Sequence, residues 1–345
     1  MTSGQQPIPW KKPNRQWLQI LISYGIAAGC LYWVFHDVRF DELRQSLAQV
    51  NWWWIPLAVL LNLLTYVCVA WEWQFLLRSV GLVSLGRLTQ AVFAGRFAND
   101  VLPVHIGYVL RVYLASRWLG TNVASVIPSL LVERLFDGFW LALGIGVTAL
   151  FVPLPAEVLH TAGVLGLVIL AGAVVIALLS VRRRKPGFRR SARGFFWGRL
   201  AERILSFVGR MVEGIQQIGK SSALGAAIAL SLLKMVAQGL AFLAVLWAYG
   251  FELSIWVQVA VFLIACVGIS LPSTPASAGV FQLFCVAGLT VFGVPKPAAS
   301  AFSLLAFVVL TVPLSLAGFW ALAQSGLKLR QIRDQEVREK LELAL

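Results

Sequence analysis

The chain has 345 residues, 59% of them hydrophobic and only 13% charged, with a net charge of +14. No soluble domain of this length could bury that much apolar surface, so the composition specifies an integral membrane protein. The basic excess does not point to nucleic acid: ten Lys and Arg residues crowd between Arg182 and Arg210, in one loop between apolar runs, with no base-reading module beside them.

In chain order, a basic stretch (Lys11, Lys12, Arg15) precedes a first apolar run at 17–36. The sequence Ala27 to Cys30 resembles a lipoprotein cleavage site, but Leu31 to Phe35 stays apolar, so this run is read as a retained first helix. Further runs long enough to span occur at 53–78, 123–152, 158–181, 222–250 and 297–323, against the roughly 20 residues a spanning helix needs. Trp33, Trp52 to Trp54, Trp118, Trp247, Trp256 and Trp320 stand near run ends, as interfacial anchors do. Between 195 and 218 apolar residues recur on one helical face with arginines elsewhere, the pattern of a helix lying on the cytoplasmic surface.

Two regions, 88–118 and 256–293, depart from this simple pattern. Each holds two shorter apolar pieces separated by a break, Leu102 to Gly107 in the first and Leu271 to Gly279 in the second. With the basic segments placed inside, the topology closes only if both are re-entrant hairpins, the first entering from the cytoplasm and the second from outside. The expected fold is therefore an all-α polytopic membrane protein, an inverted repeat with six spanning helices and two opposed re-entrant helical hairpins. Its parts are an N-terminal segment with the first helix (1–52), a first repeat (53–152), a fourth helix with the basic amphipathic segment (153–221), a second repeat (222–323) and a cytoplasmic tail (324–345). Echoes between the repeats agree: Gly120 with Gly293, and Ala124-Ser125 with Ala299-Ser300.

Pro103, Pro272 and Pro275 stop helices at the breaks, and Gly107 and Gly279 restart them. Free N–H groups at such a restart, with the positive end of the helix dipole, can hold an anion. Arg111 lies one turn further on the face of Gly107, where a phosphate or carboxylate would fit. Glu133, Arg134 and Asp137 form the second cluster, with Glu133 about 15 Å into its helix. Each ionised residue there costs about 2.5–3.5 kcal/mol to insert, so all three must be paired. Arg134 and Asp137 can pair locally, while Glu133 needs a partner from elsewhere, either Arg111 or Lys234. Arg96 and Asp100 are spaced as a local pair, Lys234 and Gln238 could line a cavity, and Glu72 is placed at the cytoplasmic interface beside Arg78.

Other chemistry is thin. Cys30, Cys68, Cys266 and Cys285 have no paired spacing and read as packing residues, and three histidines provide no metal set, so neither metal nor cofactor is expected. Gly214 to Ser221 matches the phosphate-loop pattern, but an amphipathic helix precedes it where a strand is required. Transport would then be passive or driven by an ion gradient.

The same residues carry a resemblance. Leu102-Pro103, Gly107 and Arg111, then Glu133-Arg134 and Asp137, then Pro272, Pro275 and Gly279 with Gln282 in an acidic place, resemble the flippase-like family that includes the membrane region of lysylphosphatidylglycerol synthases. The likeness spans about residues 50 to 323, with departures at Tyr108 (for Asp), Gln282 (for Glu) and near Phe307 (for Arg). It implies movement of a lipid or lipid-linked intermediate between leaflets, with membrane lipids, anionic ones first, as partners. Barely twenty residues follow the last helix, so the aminoacyl-transferring domain of the synthases, and hence catalysis, is not expected. The localisation expected is a multi-pass, bacterial-type plasma membrane with both termini cytoplasmic. Two alternatives are a membrane scaffold or assembly factor, which predicts a stable protein partner, and a membrane-embedded lipid-modifying enzyme using His105 and Asp100.

Overall fold

The computed structural model describes residues 14–36, 38–101, 106–154, 223–270 and 275–324, with isolated positions between 156 and 166. Every regular element among them is helical. Helix α1 (Asn14–Phe35) and the short α2 (Phe40–Ala48) lead into two sets of four. The first set is α3 (Trp54–Leu77), α4 (Leu85–Val101), α5 (Ile106–Leu119) and α6 (Val123–Thr148). The second is α7 (Ala223–Tyr249), α8 (Ile255–Ser270), α9 (Val280–Val291) and α10 (Lys296–Gln324). Both sets run long, short, short, long. The expected helix 158–181 lies largely outside the described residues, and the segment 195–218, the phosphate-loop match, the tail after Gln324, Pro103, His105 and Pro272 lie wholly outside them.

Local chemistry sets the ends. Gly120 takes φ 64°, a conformation open to glycine, and ends α5. The Thr121 N–H then returns to the Ser116 carbonyl at 3.1 Å. At the next residue, the Asn122 side chain accepts the Ala124 N–H at 2.9 Å and starts α6. Gly293 takes φ 86° at the corresponding end of α9.

Of the described helices, α3, α7 and α10 combine the length and apolarity needed to cross a membrane. Helix α6 is 26 residues long but carries Glu133, Arg134 and Asp137 in its middle. Helix α2 has no counterpart among the expected elements: it is too short and polar to register as a span, and it packs on α10.

The two sets interlock. Helices α3 and α7 make the most extensive helix pair, and α10 lies along α4. One apolar core gathers mainly on α7 to α10, joined by Val34 of α1, Ala58 of α3 and Leu141 and Ile145 of α6; the other gathers on α3 to α6 with the far part of α10 and Ala227 of α7. Within each set the short helices pack together, and the turn Pro275–Ser277 before α9 rests on α4. The two broken regions are thus brought face to face.

Candidate functional site

A cavity of about 270 Å³ opens where the broken regions meet. Its lining draws on both: Gly95, Arg96 and Asn99 of α4 and Tyr108 and Arg111 of α5 on one side, Cys266 and Ser270 of α8, Ser277 and Phe281 on the other. Helix α6 adds Glu133, Arg134, Asp137 and Trp140, and α7 adds Ser231, Lys234 and Gln238.

Helix α5 reaches its place because two glycines cross. A Cβ on Gly107 would fall on the Gly95 carbonyl oxygen, and one on Gly95 would lie 2.6 Å from Arg111 Cγ. This approach carries the Arg111 guanidinium to Glu133, where Nη1 donates to Oε1 at 3.0 Å and Nη2 to Oε2 at 2.8 Å. The guanidinium also lies 4.5 Å above the Trp73 ring, and the Trp73 indole donates to Ser129 Oγ at 2.8 Å. Such a two-pronged pair, buried between an aromatic face and apolar walls, is among the strongest ionic contacts a protein makes.

The remaining charges form a chain from this pair. Arg134 lies 3.2 Å from Asp137 Oδ2, 3.8 Å from Glu133 Oε1 and 4.5 Å from the Tyr108 ring. The Lys234 ammonium bridges Asp137 Oδ1 at 2.5 Å and Glu72 Oε2 at 2.8 Å. Burial differs sharply along the chain: the Glu133 and Glu72 side chains are 2% and 0% exposed, Asp137 31% and Arg134 49%. Apart from this network, Arg96 Nε lies 3.2 Å from Asp100 Oδ1, and Ser315 donates to the other Asp100 oxygen at 2.7 Å.

Five expected site residues, Arg111, Glu133, Arg134, Asp137 and Lys234, therefore stand in one network. Pairing of Arg134 with Asp137, of Arg96 with Asp100 and of Glu133 with Arg111 follows the spacing and charge of the sequence. Pro275 opens the turn ahead of α9 and Gly279 precedes its first residue with φ 83°. One N–H at each restart read as an anion donor is occupied: Gly107 N–H donates to Asn99 Oδ1 and Gly279 N–H to Gln282 Oε1, each at 2.7 Å. Gln282 thus closes the start of its own helix.

Glu72 corrects the sequence reading. It does not sit at an interface with Arg78; it is wholly buried against Lys234, while Arg78 lies 4.1 Å over the Phe75 ring. The signal available was its solitary acidic charge in the 53–78 run, which demands a partner wherever it lies. Trp73 was missed because its partners, Arg111 and Ser129, sit on other helices. Among the described residues no three His, Cys, Asp or Glu side chains converge as a metal set, and all four cysteines are free thiols.

A model of the lysylphosphatidylglycerol synthase transmembrane region matches residues 16–318 of the chain. Comparison with curated proteins gives no match. The apolar helices and this match make the chain an integral membrane protein with a membrane lipid-related role.

Proposed function

We propose that the chain, which belongs to the lysylphosphatidylglycerol synthase transmembrane-region family, moves an anionic lipid or lipid-linked intermediate between leaflets and is not itself an enzyme. The observation that carries this reading is the balanced set of acids and bases around a cavity inside an otherwise apolar bundle, where both broken-helix regions meet. Intramembrane charges are unfavourable unless they serve a polar cargo or fix packing. A volume of about 270 Å³ lies below the roughly 300–1,000 Å³ of drug-sized pockets. It suits a headgroup whose acyl chains remain in the bilayer.

The headgroup phosphate docks on Arg134, the half-exposed cation of the network. Arg111 holds Glu133 in place and meets the cargo only through its neighbours. Buried polar atoms of lining residues support an acceptor-rich ligand: Trp140 Nε1 and Ser231 Oγ have no hydrogen-bond partner, and each can donate. The two sets act as an inverted repeat, with α4–α5 and α8–α9 as opposed re-entrant hairpins. Their common long, short, short, long order and the positive φ of Gly120 and Gly293 support that relation. In this reading the protein is multi-pass in a bacterial-type plasma membrane with cytoplasmic termini, an orientation supported by the clustering of basic residues between positions 182 and 210 of the sequence.

The test is exchange of a fluorescent phosphatidylglycerol between leaflets of vesicles containing the purified protein. Wild type accelerates exchange over empty vesicles, and Arg134→Ala, still folded by its melting profile, reduces it to that background. Exchange at the background rate with wild type overturns the function; full exchange by Arg134→Ala removes Arg134 from the mechanism.

A further inference from the structure

The charges that surround the cavity balance before cargo arrives. Glu72, Glu133 and Asp137 face Arg111, Arg134 and Lys234, and each ion pair among them joins opposite signs. This balance has a consequence that rests on the headgroup reading above. An anion on Arg134 competes with Asp137 for that guanidinium. Lys234 is then left to neutralise both Asp137 and Glu72, one ammonium for two carboxylates in apolar surroundings. A net charge cannot persist there cheaply, and a carboxylate relieves it by taking up a proton.

The geometry selects which one. Both oxygens of Glu133 are held by Arg111. Asp137 is partly exposed and keeps Lys234 on Oδ1. Glu72 is wholly buried; its Oε2 accepts from Lys234, and its Oε1 is buried without a hydrogen-bond partner. A proton on Oε1 leaves the Lys234 contact intact and cancels the excess charge. The groups around Glu72 permit this and would feel it: Lys234 from α7, Glu133 and Asp137 from α6, and Cys68 on α3 itself. Arg111 of α5 is engaged by Glu133, and on α4 Arg96 and Asp100 are engaged by each other, with Ser315 of α10 on Asp100.

We propose that Glu72 is a proton-binding site and that the chain takes up a proton from solvent together with each anionic headgroup. The carboxylate becomes a carboxylic acid on binding and returns the proton on release, with no other bond made or broken. A proton gradient across the membrane can then drive the lipid.

The purified full-length protein is titrated with a short-chain, water-soluble phosphatidylglycerol, by calorimetry, over a series of pH values and in two buffers of different ionisation heat. One proton taken up per lipid makes the apparent affinity fall roughly tenfold per pH unit rise over the range in which Glu72 titrates, and makes the measured heat depend on the buffer. Binding that is flat in pH with equal heats in both buffers overturns proton uptake while leaving the headgroup site standing. Absence of binding by wild type at every pH overturns the headgroup site and this inference with it. Glu72→Gln binds with an affinity independent of pH; uptake that persists in this variant overturns the assignment to Glu72. Should Glu72→Gln fail to fold, infrared difference spectra of wild type on lipid addition decide: a new carboxylic-acid carbonyl band supports the proposal, and its absence overturns it.

Discussion

The two broken regions share a plan and differ in charge. In each, a short helix restarts beside a glycine whose N–H is held by a side-chain amide oxygen, from Asn99 in one and Gln282 in the other. The first region then places Arg96, Asp100 and Arg111 on α4 and α5, whereas α8, the turn and α9 contain no Asp, Glu, Lys or Arg. One wall of the cavity therefore carries the ionic work and the other supplies apolar and hydroxyl surface. The second set enters the network through Lys234 of α7 alone. Two regions of like plan need not contribute equally; shared backbone geometry can support a site whose polarity resides mostly on one side.

The largest effects should come from cutting the charged side. Lys234→Ala leaves Glu72 and Asp137 without their ammonium, and Arg111→Ala strands Glu133. Loss of one partner of a buried pair costs about 3–5 kcal/mol, seen as a large drop in melting temperature of the purified protein in detergent. A drop no larger than that of a surface substitution would mean that water reaches these groups. The neutral side has no residue whose loss should match this.

Next come the glycines, one at each helix restart. Gly107→Ala drives a methyl into the Gly95 carbonyl. Gly279→Ala combines φ 83° with a Cβ 2.7 Å from the Ala27 carbonyl oxygen. Overpacking of this kind costs about 1–3 kcal/mol, and an L-residue at positive φ adds about 1–2 kcal/mol. The melting temperature should therefore fall further for Gly279→Ala; the reverse order would show that the α1 contact yields more easily than the α4–α5 crossing.

Smaller still are the helix starts. Asn99→Ala and Gln282→Ala each remove an acceptor from one N–H at a helix start, a loss of about 0.5–2 kcal/mol for comparable caps. Similar melting shifts would support the shared plan. A much larger shift for Asn99→Ala would tie that residue to the charged cluster beside it. The smallest change in stability belongs to Arg134→Ala, about 0–1 kcal/mol for a half-exposed pair, with the loss falling on lipid exchange.

Much of this was legible in the residues themselves. Apolar runs located α3, α6, α7 and α10 to within a few residues, because a helix in lipid must satisfy its own backbone and needs a nearly unbroken apolar stretch. Pro103 and Pro275 marked the breaks for the same reason. Spacing paired Arg134 with Asp137 and Arg96 with Asp100, since helical neighbours three or four apart always meet. Glu133 announced a missing partner through its charge alone. By contrast, the nine residues of α2 fell below the length at which apolarity speaks.

Glu72 shows where such reading stops. Its charge was visible, and so was the need to neutralise it, but Lys234 lies 162 positions away in the chain. Only the packing of α3 against α7 brings the two together, and a nearer, exposed arginine was the natural partner until that packing was known. Composition and charge determined that this protein lives in a membrane, where its helices break and which side chains must be paired. Tertiary structure decided who pairs with whom, because ion pairing falls off over a few ångströms and depends on helix contacts that no local pattern encodes.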